Sequence, residues 1–249
     1  MLKASARTNV GRLRSVNQDT VFVSAEPVGP LPNLFIVADG MGGHNAGDIA
    51  SKAATQHFCD HLKAVSEGSE DILDLLTSAM RVANLAVLAQ AGEDTDLSGM
   101  GTTLTACCIQ EGKCFVIHIG DSRAYLISPD SISQLTHDHS YVYEMVKAGQ
   151  MTHEEAREHP KRNVITRVLG ISQDMTADGY VAEVKPGSVI LLCSDGLSNI
   201  VPEEQLRRLV YEDDAAEALV TAAGEGGGTD DISVVIIEIV SEQNPKPTI

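Results

Sequence analysis

Aspartates recur in this chain where apolar, strand-type runs end. Asp39 follows "LFIVA", Asp121 follows "CFVIHIG", Asp195 follows "VILLCS", and Asp230 and Asp231 directly precede "ISVVIIEIV". Aspartate is a poor strand residue and is costly to bury as an ion. One such case is ordinarily a turn residue or a helix cap. Four such places carry a further implication. If the strands are neighbours, their ends gather several carboxylates into one pocket, where like charges must take up protons or be offset by a cation. Oxygen donors without cysteine or paired histidine suit the hard divalent ions Mg2+ and Mn2+. Gly40 fits the same picture, because a main-chain carbonyl can approach an ion where no side chain intrudes. Sequence spacing alone does not bring the strand ends together.

The elements that must position these acids follow from periodicity. Strands are expected at 2–8, 19–24 and 33–38, the last stopping at Asp39. Helices are expected over about 46–62 and 69–91, each with apolar residues on one face. Short strands follow at 102–110, 112–119, 122–128 and 132–135, with "EGK" and "GDSR" read as hairpin connections. Residues 139–159 read as two short helices broken at Gly149 and ended by Pro160. Strands return at 176–184 and 188–193, then two helices, "PEEQLRRLV" and "DDAAEALVTAAGE", and the final strand. Strands and helices in separate blocks favour layers built on antiparallel sheet.

A chain of 249 residues without a Pro/Gly/Ser-rich linker reads as one domain, 1–240, with a polar tail at 241–249. Its 18 basic and 35 acidic residues give a formal charge of −17, which opposes a nucleic-acid partner in the absence of a basic stripe. Five cysteines without a CxxC pair exclude a disulfide framework and a zinc site, and read as buried, reduced thiols. With no signal-like segment and no long apolar run, a cytoplasmic protein without membrane association is expected.

The ordered series "RSVNQD", "ADGMGG", "GMGTT", "GDSRAYL", "LTHDHS", "HPKRNVITRVLG", "LCSDGL" and "TDDIS" resembles the motifs of the metal-dependent Ser/Thr protein phosphatases, the phosphatase 2C type, in their bacterial form. The likeness runs from about residue 7 to 237. It implies an α+β fold, a four-layer αββα sandwich of two antiparallel sheets flanked by helices, with a helical flap at about 139–170. Carried over residue by residue, it implies that Asp39 bridges two metals and that the Gly40 carbonyl completes one of them. Asp195 and Asp230 would hold the other, Asp121 a third and weaker ion, and Asp19 would lie near the cluster. Arg14 would grip the substrate phosphate. The implied reaction is hydrolysis of phosphoserine and phosphothreonine in proteins by water activated between two Mn2+ or Mg2+ ions. The implied partners are phosphorylated proteins and a Ser/Thr kinase, with the enzyme itself a monomer.

Several positions depart from the pattern or invite a second reading. Gln18 stands where many relatives have Glu, keeping an acceptor oxygen but losing a charge that would favour a metal. Asp231 is either an acid behind the ligands or a solvated turn residue. Met41 replaces the histidine that eukaryotic relatives use as general acid, leaving that role unassigned, with His44 a candidate. His137 and His139 in "THDHS" have no evident third ligand, so helix capping by Asp138 or Ser140 is the preferred reading. Arg123 is expected to pair with a nearby carboxylate. Two other functions share some of these features: a catalytically dead phosphoprotein-binding module, and a two-metal nuclease, which the charge opposes.

Overall fold

Strands that read as continuous apolar runs must be covered on both faces, and this requirement sets the architecture. The computed structural model describes residues 1–42, 46–66, 68 and 71–241. In chain order its first half contains β1 (Leu2–Asn9), β2 (Asp19–Ser24), β3 (Leu34–Met41), α1 (Ala46–Ala64), α2 (Ile72–Glu93), β4 (Gly101–Thr102) and β5 (Leu104–Gln110). Then come β6 (Lys113–Ile119), β7 (Arg123–Ser128), β8 (Ser131–Gln134), α3 (Tyr141–Lys147), α4 (His153–Glu158) and β9 (Asp178–Glu183). The chain closes with β10 (Val189–Cys193), α5 (Asp195–Ser198), α6 (Glu203–Leu209), α7 (Ala215–Glu225) and β11 (Ile232–Ile239).

One sheet has the order β1-β11-β10-β7-β8 and the other β2-β3-β5-β6-β9, with β4 paired to β3, and every pairing is antiparallel. Alternate residues of one strand enter different cores. On β3, Phe35 and Val37 face the opposite sheet, where they meet Ile190 and Leu192 of β10 and Val235 and Ile237 of β11. The intervening Leu34, Ile36 and Ala38 pack under α1 and α2. On the far side, Leu191, Cys193, Val234 and Ile236 pack under α5, α6 and α7. The α+β, four-layer arrangement expected from the sequence is therefore present. Among the described residues, α2 is the one helix long and apolar enough by composition to cross a membrane. Its Leu76, Ala79, Met80 and Ala83 instead fill a core shared with Ala50, Ala54, Phe58 and Leu62 of α1.

Three expectations are corrected. β3 does not stop at Asp39 but runs to Met41, so that Asp39 lies within the ladder, directly opposite Asp19 of β2. The expected strand 102–110 is interrupted at Thr103 into β4 and β5. "GDSR" is not a hairpin, because β6 and β7 belong to different sheets. Residues 120–122 instead carry the chain across the end of the sandwich. Gly120 makes the crossing at φ +113°, and a Cβ there would run into the Thr103 side chain. "EGK" is a hairpin, with Glu111 and Gly112 both at positive φ, as tight turns between strands require.

Residues 139–170 form the helical excursion beside the site. Ser140, not Asp138, caps α3, its hydroxyl accepting from the Tyr143 N–H. Thr152 and Glu155 form a reciprocal cap on α4. The returning arm bridges Ile165 to Ser140 and Leu169 to Thr102.

Candidate metal centre

The sandwich places the acids at one end. Asp39 is fixed by its main chain: its N–H donates to Thr103 Oγ1 at 2.9 Å, and its carbonyl accepts from Thr103 N–H and Thr102 Oγ1, each at 2.9 Å. The register sets Asp19 opposite it. Asp195 opens α5 directly after the buried strand β10, and Asn199 Nδ2 donates to its Oδ2 at 3.1 Å. Asp230 precedes β11, and Asp121 sits in the inter-sheet crossing. The charges of Asp19, Asp195, Asp121 and Asp230 all bear on Asp39. Five acids far apart in the chain are thus brought to one place.

Their electrostatics are those of an uncompensated cluster. Burial first, then the neighbouring carboxylates, hold Asp39 well above the ordinary carboxylate range. Burial and the charge of Asp195 do the same to Asp121. Burial carries Asp19 up to about 7, against hydrogen bonds from Ser233 and Ser194. Burial and the charge of Asp230 carry Asp195 up to about 6. Asp19 Oδ1, Asp121 Oδ1 and Asp195 Oδ1 are buried without a hydrogen-bond partner. Orphaned carboxylate oxygens crowded by like charge are the donor set a hard divalent cation requires, so these residues fit Mg2+ or Mn2+. Among the described residues, no three His, Cys, Asp or Glu side chains close into a ready-made cage. Hydrated Mg2+-type ions keep several waters and do not need one.

The surroundings hold the acids apart and in place. Asp231 is not a solvated turn residue: it is buried, and its two oxygens accept from the Gly11 and Gln18 N–H groups, each at 2.8 Å. It therefore ties the segment bearing Arg14 to the start of β11. The Gln18 carbonyl accepts from Gly40 N–H and from the Ser51 hydroxyl, and its side-chain oxygen accepts from Arg14 Nη1 at 3.3 Å. Arg14, exposed at the rim, also reaches Asp230 through Nη2, at 2.8 and 2.9 Å to the two carboxylate oxygens. Gly40 has a packing role besides any carbonyl donation, since a Cβ there would strike the Gly47 backbone of α1. The reciprocal Cβ at Gly47 would meet the Gly40 carbonyl oxygen at 2.6 Å.

Other sequence candidates resolve into structure. Arg123 pairs with Asp138 through two bonds of 2.8 and 2.7 Å, as a local carboxylate partner was expected. His137 and His139 share no ligand geometry; the His139 ring lies against His118 instead, with centroids 4.7 Å apart. All five cysteines are buried and free. Met41 is partly exposed at the end of β3, and His44 lies outside the described residues. Residues 242–249 of the expected tail also lie outside them. Thr102, Thr103 and Ser194, which have no role in the sequence analysis above, support Asp39 and Asp19 through their hydroxyls. Hydroxyl residues inside otherwise apolar strand runs were the available signal.

Comparison with known proteins identifies the family. The family model described as Protein phosphatase 2C matches residues 12–225. The Serine/threonine phosphatase stp of Listeria innocua is 36% identical over 245 residues, covering 95% of this chain and 96% of that one. Protein phosphatase PhpP of Streptococcus pneumoniae is 36% identical, covering 97% of this chain and 99% of its own. Among solved structures, the Mycobacterium tuberculosis serine/threonine phosphatase PstP/Ppp superposes with a TM-score of 0.86 at 36% identity, covering 96% of this chain and 99% of that one. The catalytic domain of PstP in complex with two manganese ions does so with a TM-score of 0.83 at 34% identity, covering 96% and 99%.

Proposed function

The chain belongs to the protein phosphatase 2C family, and on that premise we propose that its acidic strand-end cluster is the centre at which phosphoserine and phosphothreonine in proteins are hydrolysed. It is a bacterial, metal-dependent serine/threonine protein phosphatase. The observation that carries the site assignment is the set of buried, unpartnered carboxylate oxygens around Asp39, rimmed by Arg14.

We assign Asp39, Asp195 and Asp230, with the Gly40 carbonyl, to two Mn2+ or Mg2+ ions, Asp121 to a third and weaker one, and Asp19 to the acid beside them. When bound, such ions supply a hydroxide-like nucleophile near neutral pH and positive charge against the phosphoryl oxygens. The protein's own contribution is positional. Thr102 and Thr103 hold the Asp39 backbone, Ser194 holds one oxygen of Asp19, and Asp231 fixes the loop that carries Arg14. Arg14 is anchored by Asp230 and Gln18 and offers its remaining planar donors to two phosphate oxygens. That charge counts most as the leaving serine or threonine oxygen departs. No side chain has to form a bond to phosphorus, so the buried cysteines remain structural.

The working unit is residues 1–240, acting on phosphorylated proteins as a cytoplasmic monomer and opposing a Ser/Thr kinase. Purified protein with Mn2+ is expected to release phosphate from a phosphothreonine peptide. Excess EDTA should abolish this and added Mn2+ restore it; turnover that persists through chelation would refute the assignment.

A further inference from the structure

The segment "THDHS" contains a buried histidine that the reaction does not use. His139 is 1% exposed, and all its polar atoms are engaged. Its main-chain N–H donates to the Gly120 carbonyl at 2.7 Å, and its carbonyl accepts from Thr166 N–H at 2.7 Å. The ring makes a second bond to the same glycine, with Gly120 N–H donating to Nδ1 at 3.1 Å. Nε2 faces Asp178 Oδ2 at 3.2 Å. An amide N–H can only donate and a carboxylate can only accept, so the neutral ring must carry its hydrogen on Nε2 and its lone pair on Nδ1. Burial and the Arg167 charge lower its pKa, which keeps the ring neutral.

Gly120 precedes Asp121 in the crossing between the sheets. The other flank is clamped as well: the Ser122 hydroxyl meets Thr103 Oγ1 at 2.7 Å, and its carbonyl accepts from Thr105 Oγ1 at 3.3 Å. Hydrogen bonds therefore grip both neighbours of a residue whose own Oδ1 has no partner. Such a loop spends its hydrogen bonds on aiming one carboxylate.

We propose that His139 is a positioning residue for Asp121: its Nδ1, by accepting the Gly120 N–H, holds the inter-sheet crossing in the conformation that points Asp121 into the acidic centre. The affinity of the cation held by Asp121 then depends on one acceptor nitrogen that touches neither metal nor substrate. This rests on the metal-centre reading above.

Two near-isosteric substitutions separate the two ring nitrogens. In His139→Asn, Oδ1 takes the place of Nδ1 and keeps the Gly120 bond. In His139→Gln, Nε2 takes the place of the ring Nε2 and keeps Asp178 but leaves the Gly120 N–H without its acceptor. Mn2+ titration of the full chain, followed by the electron paramagnetic resonance of free Mn2+, reads each affinity directly. His139→Gln is expected to weaken the loosest Mn2+ equilibrium about 10-fold or more, as losses behind a ligand do. His139→Asn should stay close to wild type, and the tighter equilibria should be unchanged in both. Equal Mn2+ binding in wild type and His139→Gln, or equal weakening in both variants, would overturn the proposal. A measurement on the unsubstituted protein stands independently of how the variants fold: 15N-15N scalar coupling across the hydrogen bond between Gly120 N and His139 Nδ1 is expected, and its absence overturns the proposal. Failure of the underlying reading looks different, as a wild-type protein that binds no Mn2+ at all.

Discussion

Two partly buried polar clusters lie at the same end of this molecule and solve the same problem in opposite ways. Around His139, each group has a complement: Asp178 takes Arg167 at 2.9 and 3.3 Å and His139 at 3.2 Å, and Asp138 takes Arg123 at 2.8 and 2.7 Å. Burial alone would raise Asp178, yet Arg167 and His139 bring it down to about 2. Around Asp39, acids face acids, three oxygens have no partner, and Asp19 rises to about 7. A satisfied buried network specifies structure, whereas unsatisfied buried oxygens are available to a ligand. The contrast separates the histidines, whose polar atoms are paired, from the aspartates, whose unpartnered oxygens fit a cation.

The largest test of this contrast is Asp39→Asn. It keeps the shape but removes the charge on which the other acids converge, and phosphopeptide hydrolysis with Mn2+ is expected to fall by more than about 100-fold. Full activity in that variant would break the assignment. Next is Arg14→Ala, which should lower kcat/KM by about 10- to 100-fold through loss of charged hydrogen bonds to phosphate, with Mn2+ binding retained. Arg14→Lys should recover only part, because a point charge cannot replace a planar fork.

The third test uses pH. Asp19 and Asp195 sit above the ordinary carboxylate value, so between about pH 3.8 and 7 the folded chain binds more protons than the unfolded one. Stability in EDTA is therefore greatest at the acidic end of that window and falls as pH rises, by about 5 °C in melting temperature. Mn2+ should flatten the slope. Asp178 has the opposite sign, and its contribution is lost only as pH drops below 3.8 toward about 2. The smallest effect is expected from Asp178→Ala, which should cost about 1–2 kcal/mol by chemical denaturation, with the tighter Mn2+ equilibria unaffected. A loss of those equilibria would erase the distinction between the two clusters.

The legibility of this protein was uneven for identifiable reasons. The strand of Leu34–Ala38 was readable because a run buried on two faces is apolar at every position. Its continuation through Asp39 was not, because a ladder that ends in a charged pocket has the composition of a loop. "GDSR" looked like a hairpin because tight connections share small and polar residues whether they join neighbours or cross between sheets. Asp231 was ambiguous beside Asp230 for the same local reason. Only the approach of Gly11 and Gln18 gives it two donors and a buried position.

By itself, the sequence determined the number and type of most elements, the acidic residues available for chemistry, and through its ordered motifs the kind of reaction. Those properties are local or additive: periodicity, composition and side-chain chemistry do not depend on what lies across the molecule. Tertiary structure alone decided which aspartates share a charge environment, which are neutralised by arginine, and which glycine carries the chain between sheets. Electrostatic repulsion and hydrogen-bond satisfaction act through space between residues as far apart in the chain as Asp19 and Ser194. The packing of the two sheets is what turns scattered acids into one centre.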